Sequence, residues 1–228
     1  MDPPPAIELR GLVRRFGERT VLRDVSMQVP AGATVAVLGR NGAGKSTLLR
    51  ILATLLRAHG GSVAVLGEAL PRRAFAVRGR LGLLGHDPLL YRDLSGWENL
   101  SYHARLHGVS PARVEEVLEA VRMRERAQEP VRLLSRGMVQ RLAVCRAVLH
   151  RPALLLLDEP LANLDPAASQ LVAPLIGRAS GATRVLTSHD PRAALAEADL
   201  VLGLSGGRPA FLCAPDQVVP GAVEALYA

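Results

Sequence analysis

Apolar positions along this chain alternate between a two-residue period and a helical one, and each switch marks an element. Ile7-Glu8-Leu9-Arg10-Gly11-Leu12-Val13 alternates apolar and polar residues, the pattern of a half-buried strand. A second strand is expected over 20–29. Thr34-Val35-Ala36-Val37-Leu38 is a short apolar run that ends in a glycine-rich turn, so it reads as a buried strand. From 45 to 56 the leucines and Ile51 recur at helical spacing, which predicts a helix starting directly after the glycines. Residues 63–66 and 81–84 read as further short strands.

The middle of the chain changes character. Segments 97–108, 111–125 and 137–150 carry helical periodicity, with Ser110 placed to cap the helix that opens on Pro111. Ala153-Leu154-Leu155-Leu156-Leu157 and Arg184-Val185-Leu186-Thr187 return to buried strands. The order predicts an α/β fold: a mainly parallel sheet formed by 1–87 and 151–228, with an α-helical subdomain inserted at 88–150.

Composition narrows the class. With 228 residues, 49% hydrophobic and 21% charged, the chain suits one globular domain. Aromatics make up only 3%, so Leu, Val and Ala must fill the core, which favours α/β layering over a sandwich. No apolar run approaches the length needed to span a bilayer. Met1-Asp2-Pro3-Pro4-Pro5 has neither the basic nor the apolar part of a secretory signal. Cys145 and Cys213 are too few for a disulfide framework and read as reduced thiols. A cytoplasmic location is therefore expected. The net charge of +7 would attract nucleic acid or an anionic membrane face, but the arginines are scattered, so nucleic acid is not expected as a partner. Among 28 basic residues, Lys45 is the only lysine. A chain that uses arginine everywhere else keeps one compact point charge there, which singles out Lys45 before any motif is named.

That lysine completes Gly39-Arg40-Asn41-Gly42-Ala43-Gly44-Lys45-Ser46-Thr47, a match to G-x-x-x-x-G-K-[ST] between a predicted strand and a predicted helix. Gly39, Gly42 and Gly44 let the backbone turn tightly enough for several N–H groups to face one phosphate. The following helix points its positive end at the same anion. Lys45 can then reach the β- and γ-phosphates of ATP, Ser46 can ligate Mg²⁺, and Thr47 can contact the α-phosphate. Leu154-Leu155-Leu156-Leu157-Asp158-Glu159 is an apolar strand ending in two carboxylates, at the sheet edge where parallel sheets bind ligands. Asp158 is the candidate for orienting Mg²⁺, and Glu159 for general base on the attacking water. Alternatively, the pair only caps the next turn. His189, in Thr187-Ser188-His189-Asp190, is a candidate for holding the γ-phosphate and water, although a strand-end histidine taken alone is commonly structural.

Together these motifs resemble the ATP-binding cassette family over nearly the whole chain. Leu134-Ser135-Arg136-Gly137-Met138-Val139-Gln140-Arg141 looks like its signature, with Ser135 lying 23 residues before Asp158. Ala162-Asn163-Leu164-Asp165 resembles the D-loop, which meets the partner in a dimer, and Thr187-Ser188-His189 the switch-histidine segment. Phe16 stands where the family places an aromatic that stacks on adenine, though a lone Phe also suits a core. The resemblance implies a P-loop NTPase with a RecA-like core, an N-terminal antiparallel β subdomain and the helical insert. It further implies a homodimer that sandwiches two ATP molecules between one P-loop and the Ser135 to Gly137 turn of the other chain. Integral-membrane subunits would be its partners, with the cassette peripheral on the cytoplasmic face.

Two departures stand out. Arg136 and Met138 replace the usual Gly and Gln of the signature, whereas Ser135 and Gly137 remain. His86, in Leu83-Leu84-Gly85-His86-Asp87-Pro88, stands where most relatives carry the Q-loop glutamine. It reads either as a contact to a metal-bound water, with a pH dependence that an amide lacks, or as a solvated hinge residue. The strings 85–95, 98–100 and 102–109 look like the ATPase subunit of the haem exporter of the cytochrome c maturation system, and Ser135-Arg136-Gly137-Met138 fits it too. Within that stretch, His103 and His107 read as helix surface rather than haem ligands. A drug- or ion-exporting cassette is the alternative, and a soluble iron–sulfur assembly ATPase is the alternative from another class.

Overall fold

The computed structural model describes residues 4–227. The chain opens with an antiparallel arm: β1 (Ile7–Phe16) and β2 (Arg19–Val29) form a hairpin. It then enters β3 (Thr34–Leu38), turns through the glycines and starts α1 (Lys45–Leu52). β4 (Gly60–Val65) and β5 (Glu68–Leu70) return to the arm, giving the four-stranded order β2-β1-β4-β5. After α2 (Ala74–Arg78) come β6 (Leu81–Leu84) and three helices, α3 (Gly96–Leu106), α4 (Pro111–Ala120) and α5 (Arg136–Val148). β7 (Leu154–Asp158), α6 (Pro166–Ile176), β8 (Thr183–Thr187), α7 (Pro191–Glu197), β9 (Leu200–Ser205), β10 (Arg208–Cys213) and α8 (Ala222–Ala225) complete it. The larger sheet has the order β10-β9-β3-β8-β7-β6, parallel except for β10. The expected α/β class, with an antiparallel N-terminal arm on a mainly parallel sheet, is what the chain adopts.

The unbroken apolar runs follow from burial on both faces. Val35 and Val37 of β3, with Leu154 and Leu156 of β7, pack toward α1 and the arm, whereas Ala36, Leu38, Leu155 and Leu157 pack toward α5 and α6. A strand apolar on one face only would leave one of these layers unfilled. The sheet itself encloses a charge. Arg184 of β8 is 1% exposed; its Nε and Nη2 donate to Thr34 Oγ1 at 3.1 and 2.9 Å, and its Nη1 to Ile176 O at 3.2 Å and Glu197 Oε2 at 2.9 Å. The buried guanidinium is thereby satisfied while joining β3, β8, α6 and α7.

Several boundaries differ from the periodicity. The helix expected over 45–56 stops at Leu52, because Thr54 takes φ 62 and the Leu55 and Leu56 amides fold back onto Arg50 O. The helix expected over 111–125 stops at Ala120, with Arg122 at φ 53 and Met123 N returning to Leu118 O at 2.8 Å. α5 begins at Arg136 rather than Gly137, because Ser135 caps it. β9 and β10 lay outside the expected strands.

Three of the six histidines meet in one seam. The rings of His107 and His150 stack with centroids 4.0 Å apart, and His150 Nε2 lies 2.8 Å from Leu81 O. His103 shares α3 with His107, and Tyr102 meets the His103 ring edge-on. The surface placement expected for His103 and His107 is therefore incomplete, since both are half-buried. Arg146 fills the seam, donating to Leu83 O at 2.6 Å and Pro88 O at 3.3 Å. Burial, then the cationic neighbours, push His103 down to about 4. Burial, with His107 and Arg146, does the same to His150, and burial with Arg146 lowers His107.

These groups refuse protons that the unfolded chain accepts below its ordinary histidine pKa of 6.5. Folding stability should therefore rise with pH from about 4 to 6.5 and level off above that range. Urea midpoints across that range check it, and replacing His103, His107 and His150 by Gln should flatten the rise.

Candidate functional site

Parallel register builds the site. Val37 of β3 pairs with Thr187 of β8, and Thr187 pairs with Asp158 of β7, so three strand ends form one row. The phosphate-type loop leaves the first of them. Gly39 takes φ 147, and a Cβ there would stand 2.3 Å from Leu204 O; at Gly44 (φ 108) it would stand 2.6 Å from Leu22 Cδ2. Only glycine fits either position. Ala43 N donates to Arg40 O at 3.1 Å, closing the turn, and Leu48 N donates to Gly44 O at 2.9 Å as α1 starts. Asn41, Gly42 and Ser46 are exposed, and Thr47 is half-buried. Lys45 is 8% exposed, and its Nζ donates to Gly39 O at 2.6 Å and Arg40 O at 3.2 Å. Burial lowers its pKa, against the pull of the Glu159 and Asp158 carboxylates nearby.

One hydroxyl joins the Asp158 carboxylate to the backbone amide of Glu159. Thr187 Oγ1 donates to Asp158 Oδ1 at 2.6 Å and accepts from Glu159 N at 3.1 Å. Thr187 is fully buried. Glu159 itself takes φ 54, the left-handed region that glycine favours. Its Oε1 lies 2.7 Å from Nε2 of His189, whose side chain is 62% exposed. The structure thus gathers Lys45, Asp158, Glu159 and His189. Thr187 was quoted in the sequence only as part of a segment; a hydroxyl at the last position of a buried strand was the available signal. Asp158 and the Ser46 hydroxyl are hard oxygen donors of the kind that Mg²⁺ accepts alongside phosphate and water. Among the described residues no group of three or more His, Cys, Asp or Glu could hold a metal.

The remaining candidates lie on other parts of the surface. His86 is exposed and lines a cavity of about 310 Å³ with Pro88, Arg92, Arg136, Gln140 and Asn163; it is not brought to Asp158 by any hydrogen bond. Ser135 caps α5 by accepting from Met138 N at 3.3 Å. Gly137 faces Asn163 O, which an added Cβ would meet at 3.3 Å, and Gln140 Nε2 donates to Pro160 O at 3.0 Å. The start of α5 therefore packs on the turn that follows Glu159. Asp165 is exposed and caps α6, its Oδ1 accepting from Ala168 N at 2.7 Å. Phe16, at the end of β1, is 46% exposed and lies under the Arg14 guanidinium, 4.4 Å from its ring centroid.

Replacing Thr187 by Val leaves Asp158 Oδ1 and Glu159 N without their shared partner. The expected loss is about 1–3 kcal/mol of folding stability. Urea unfolding at constant slope measures it, and an unchanged midpoint would remove Thr187 from the site.

The sequence profile described as ABC transporter matches residues 22–162, more than half of the chain. Aliphatic sulfonates import ATP-binding protein SsuB 2 of Pseudomonas aeruginosa is 40% identical over 208 residues, covering 88% of this chain and 72% of that protein. Nod factor export ATP-binding protein I of Cupriavidus pinatubonensis is 39% identical over 216 residues, covering 90% and 66%. Daunorubicin resistance ATP-binding protein DrrA3 of Streptomyces coeruleorubidus is 37% identical over 211 residues, covering 89% and 66%. The chain thus spans just under two thirds of the last two. Among solved structures, an ATP-binding subunit of an ABC transporter superposes with a TM-score of 0.88 at 28% identity, covering 97% of this chain and 98% of that one. A bacterial Atm1-family ABC exporter with ATP bound shares the fold, with a TM-score of 0.85 at 24% identity, over all of this chain and 42% of that one. On this footing, the chain belongs to the ABC transporter family as an ATP-binding domain.

Proposed function

We propose that this chain binds MgATP and hydrolyses it while paired with a second ATP-binding chain, and that the cycle drives a membrane partner. One observation carries the reading: Lys45, Asp158, Glu159 and His189 meet at the adjoining ends of β3, β7 and β8. The loop 39–47 receives the phosphates on its N–H groups and on the first turn of α1. Lys45 then exchanges its carbonyl partners Gly39 and Arg40 for phosphate oxygens. Ser46 and Asp158 would hold Mg²⁺, whose chemistry is to offset phosphate charge. Glu159 accepts the proton of the water that attacks the γ-phosphorus, and ADP leaves. His189 steadies that carboxylate through its 2.7 Å contact. Phe16 offers a stacking face to adenine.

Ser135 and Gly137 act in trans, the hydroxyl and the start of α5 facing the γ-phosphate of the partner chain's ATP. Asp165 sits at the same dimer surface. The packing of Gly137 and Gln140 on 160–163 supports this, since it ties the trans-acting turn to the segment just after the base. The membrane subunits would dock near the hinge at His86, on the cytoplasmic face. No helix among the described residues is long and apolar enough to cross a membrane. On cargo, the haem-handling reading rests on the strings between 85 and 109, while the curated relatives' names point to sulfonates, Nod factor and daunorubicin.

Lys45→Ala should abolish ATP binding, read by calorimetry; retained binding would sink the phosphate-loop assignment. Glu159→Gln should cut hydrolysis by roughly 10²–10⁴-fold while retaining ATP and eluting as a dimer. Elution only as a monomer with MgATP counts against the sandwich. For His86→Gln, turnover profiles from about pH 5.5 to 8, around the ordinary histidine pKa, should differ from the parent if the imidazole touches the hydrolytic water. Superimposable profiles assign it to the hinge.

A further inference from the structure

The hairpin of β1 and β2 carries two arginines that neither the motif nor the family resemblance assigned. Arg14 and Phe16 lie on one strand, two residues apart and hence on one face. The Arg14 guanidinium lies over the Phe16 ring at 4.4 Å, and its Nη1 donates to Arg57 O at 2.8 Å. Its Nε is buried without a hydrogen-bond partner among the described residues. Burying an N–H unpaired is unfavourable, and the cation–π contact with the ring is the compensating interaction available here. One face of Phe16 is thus occupied, yet 46% of the residue stays exposed.

Arg57 and His59 belong to the turn beyond α1, the helix that starts at the phosphate loop. His59 N donates to Val13 O at 2.8 Å, and Arg15 N donates to His59 Nδ1 at 3.2 Å. The turn beyond α1 therefore grips the strand that ends in Phe16. Across the hairpin, Phe16 pairs with Arg19. The Nη2 of Arg19 stands 4.0 Å from where a Cβ on Gly42 would lie, at the exposed middle of the loop. Lys45 occupies the inner side of that loop, turned toward Gly39 O and Arg40 O. The loop thus has a cation on its inner side and another at its outer rim.

We propose that this hairpin is a two-part nucleotide clamp, in which Arg19 binds the triphosphate from the rim of the loop and Arg14 is a positioning residue that holds Phe16 flat against the base. The proposal rests on the MgATP-binding reading given above. A guanidinium suits the rim because its planar fork can engage two phosphate oxygens at once. Arg14 acts only through Phe16, so its effect depends on the presence of a base. Arg19 acts on phosphate whether or not a base is attached.

Affinities for MgATP and for Mg-tripolyphosphate, which has no base, separate the two roles. Arg19→Ala should weaken both by about tenfold, the scale of one charge-assisted contact, with Arg19→Lys recovering part of the loss. Arg14→Gln can still donate to Arg57 O but lacks the cation over the ring. It should weaken MgATP several-fold and leave tripolyphosphate unchanged, with an unaltered melting temperature. Equal loss of both ligands in Arg14→Gln would make Arg14 merely structural and overturn its half of the clamp. Unchanged tripolyphosphate affinity in Arg19→Ala would overturn the other half. Failure of the underlying reading has a different signature: Lys45→Ala would then bind MgATP as the parent does.

Discussion

The pairing of β3 with β8, and of β8 with β7, decides where Lys45, Asp158, Glu159 and His189 meet. All three strands run the same way, so their carboxyl ends open onto one edge, and their register sets Val37, Thr187 and Asp158 side by side. From that row, the loop before Lys45, the turn at Glu159 and the segment to His189 all start within reach of one another. A slip of one residue would turn Thr187 to the other face of the sheet, and its hydroxyl would lose both Asp158 and the Glu159 amide. The register is held by burial on both faces, with alternate leucines committed to different cores. Arg184 adds a polar lock, because its bonds to Thr34 tie β8 to the start of β3.

Much of this was legible in the residues because the signals are local. Gly39, Gly42 and Gly44 before the single lysine announce a loop that only glycine can make, and the steric contacts at Gly39 and Gly44 bear out the reason. The apolar runs before Asp158 and His189 announce buried strands for the same reason. Helix ends were less legible. Thr54 and Arg122 end their helices in left-handed conformations that neither residue type advertises, so periodicity overran them. The pairing of distant strands was invisible as well. Nothing near Thr187 in sequence says that its hydroxyl serves Asp158, and nothing near His107 says that His150 stacks on it. Such contacts are set by topology, which a linear pattern does not encode.

The basic composition has a structural logic beyond surface charge. Arginines that are buried or half-buried here bind carbonyls and hydroxyls: Arg184 in the sheet, Arg146 between Leu83 and Pro88, and Arg14 against Arg57. A guanidinium carries five donors in a rigid plane, so it can tie several backbone segments together in a way that a single ammonium cannot. Burial lowers Arg146 to about 10, still far above neutrality, so the tie stays charged. The one lysine, Lys45, stands where the proposed phosphate contact would have a single mobile charge change partners.

The backbone at Glu159 has a consequence for how this protein can vary. A non-glycine residue at φ 54 costs about 1 kcal/mol or more relative to an unstrained conformation, and Glu159 bears that cost beside the carboxylate it presents. Glycine would relieve the strain while removing the acid. A substitution chosen for heat resistance alone would therefore be glycine at this position, at the loss of the carboxylate. The turn is therefore less stable than a glycine would make it, with an acid held 2.7 Å from His189.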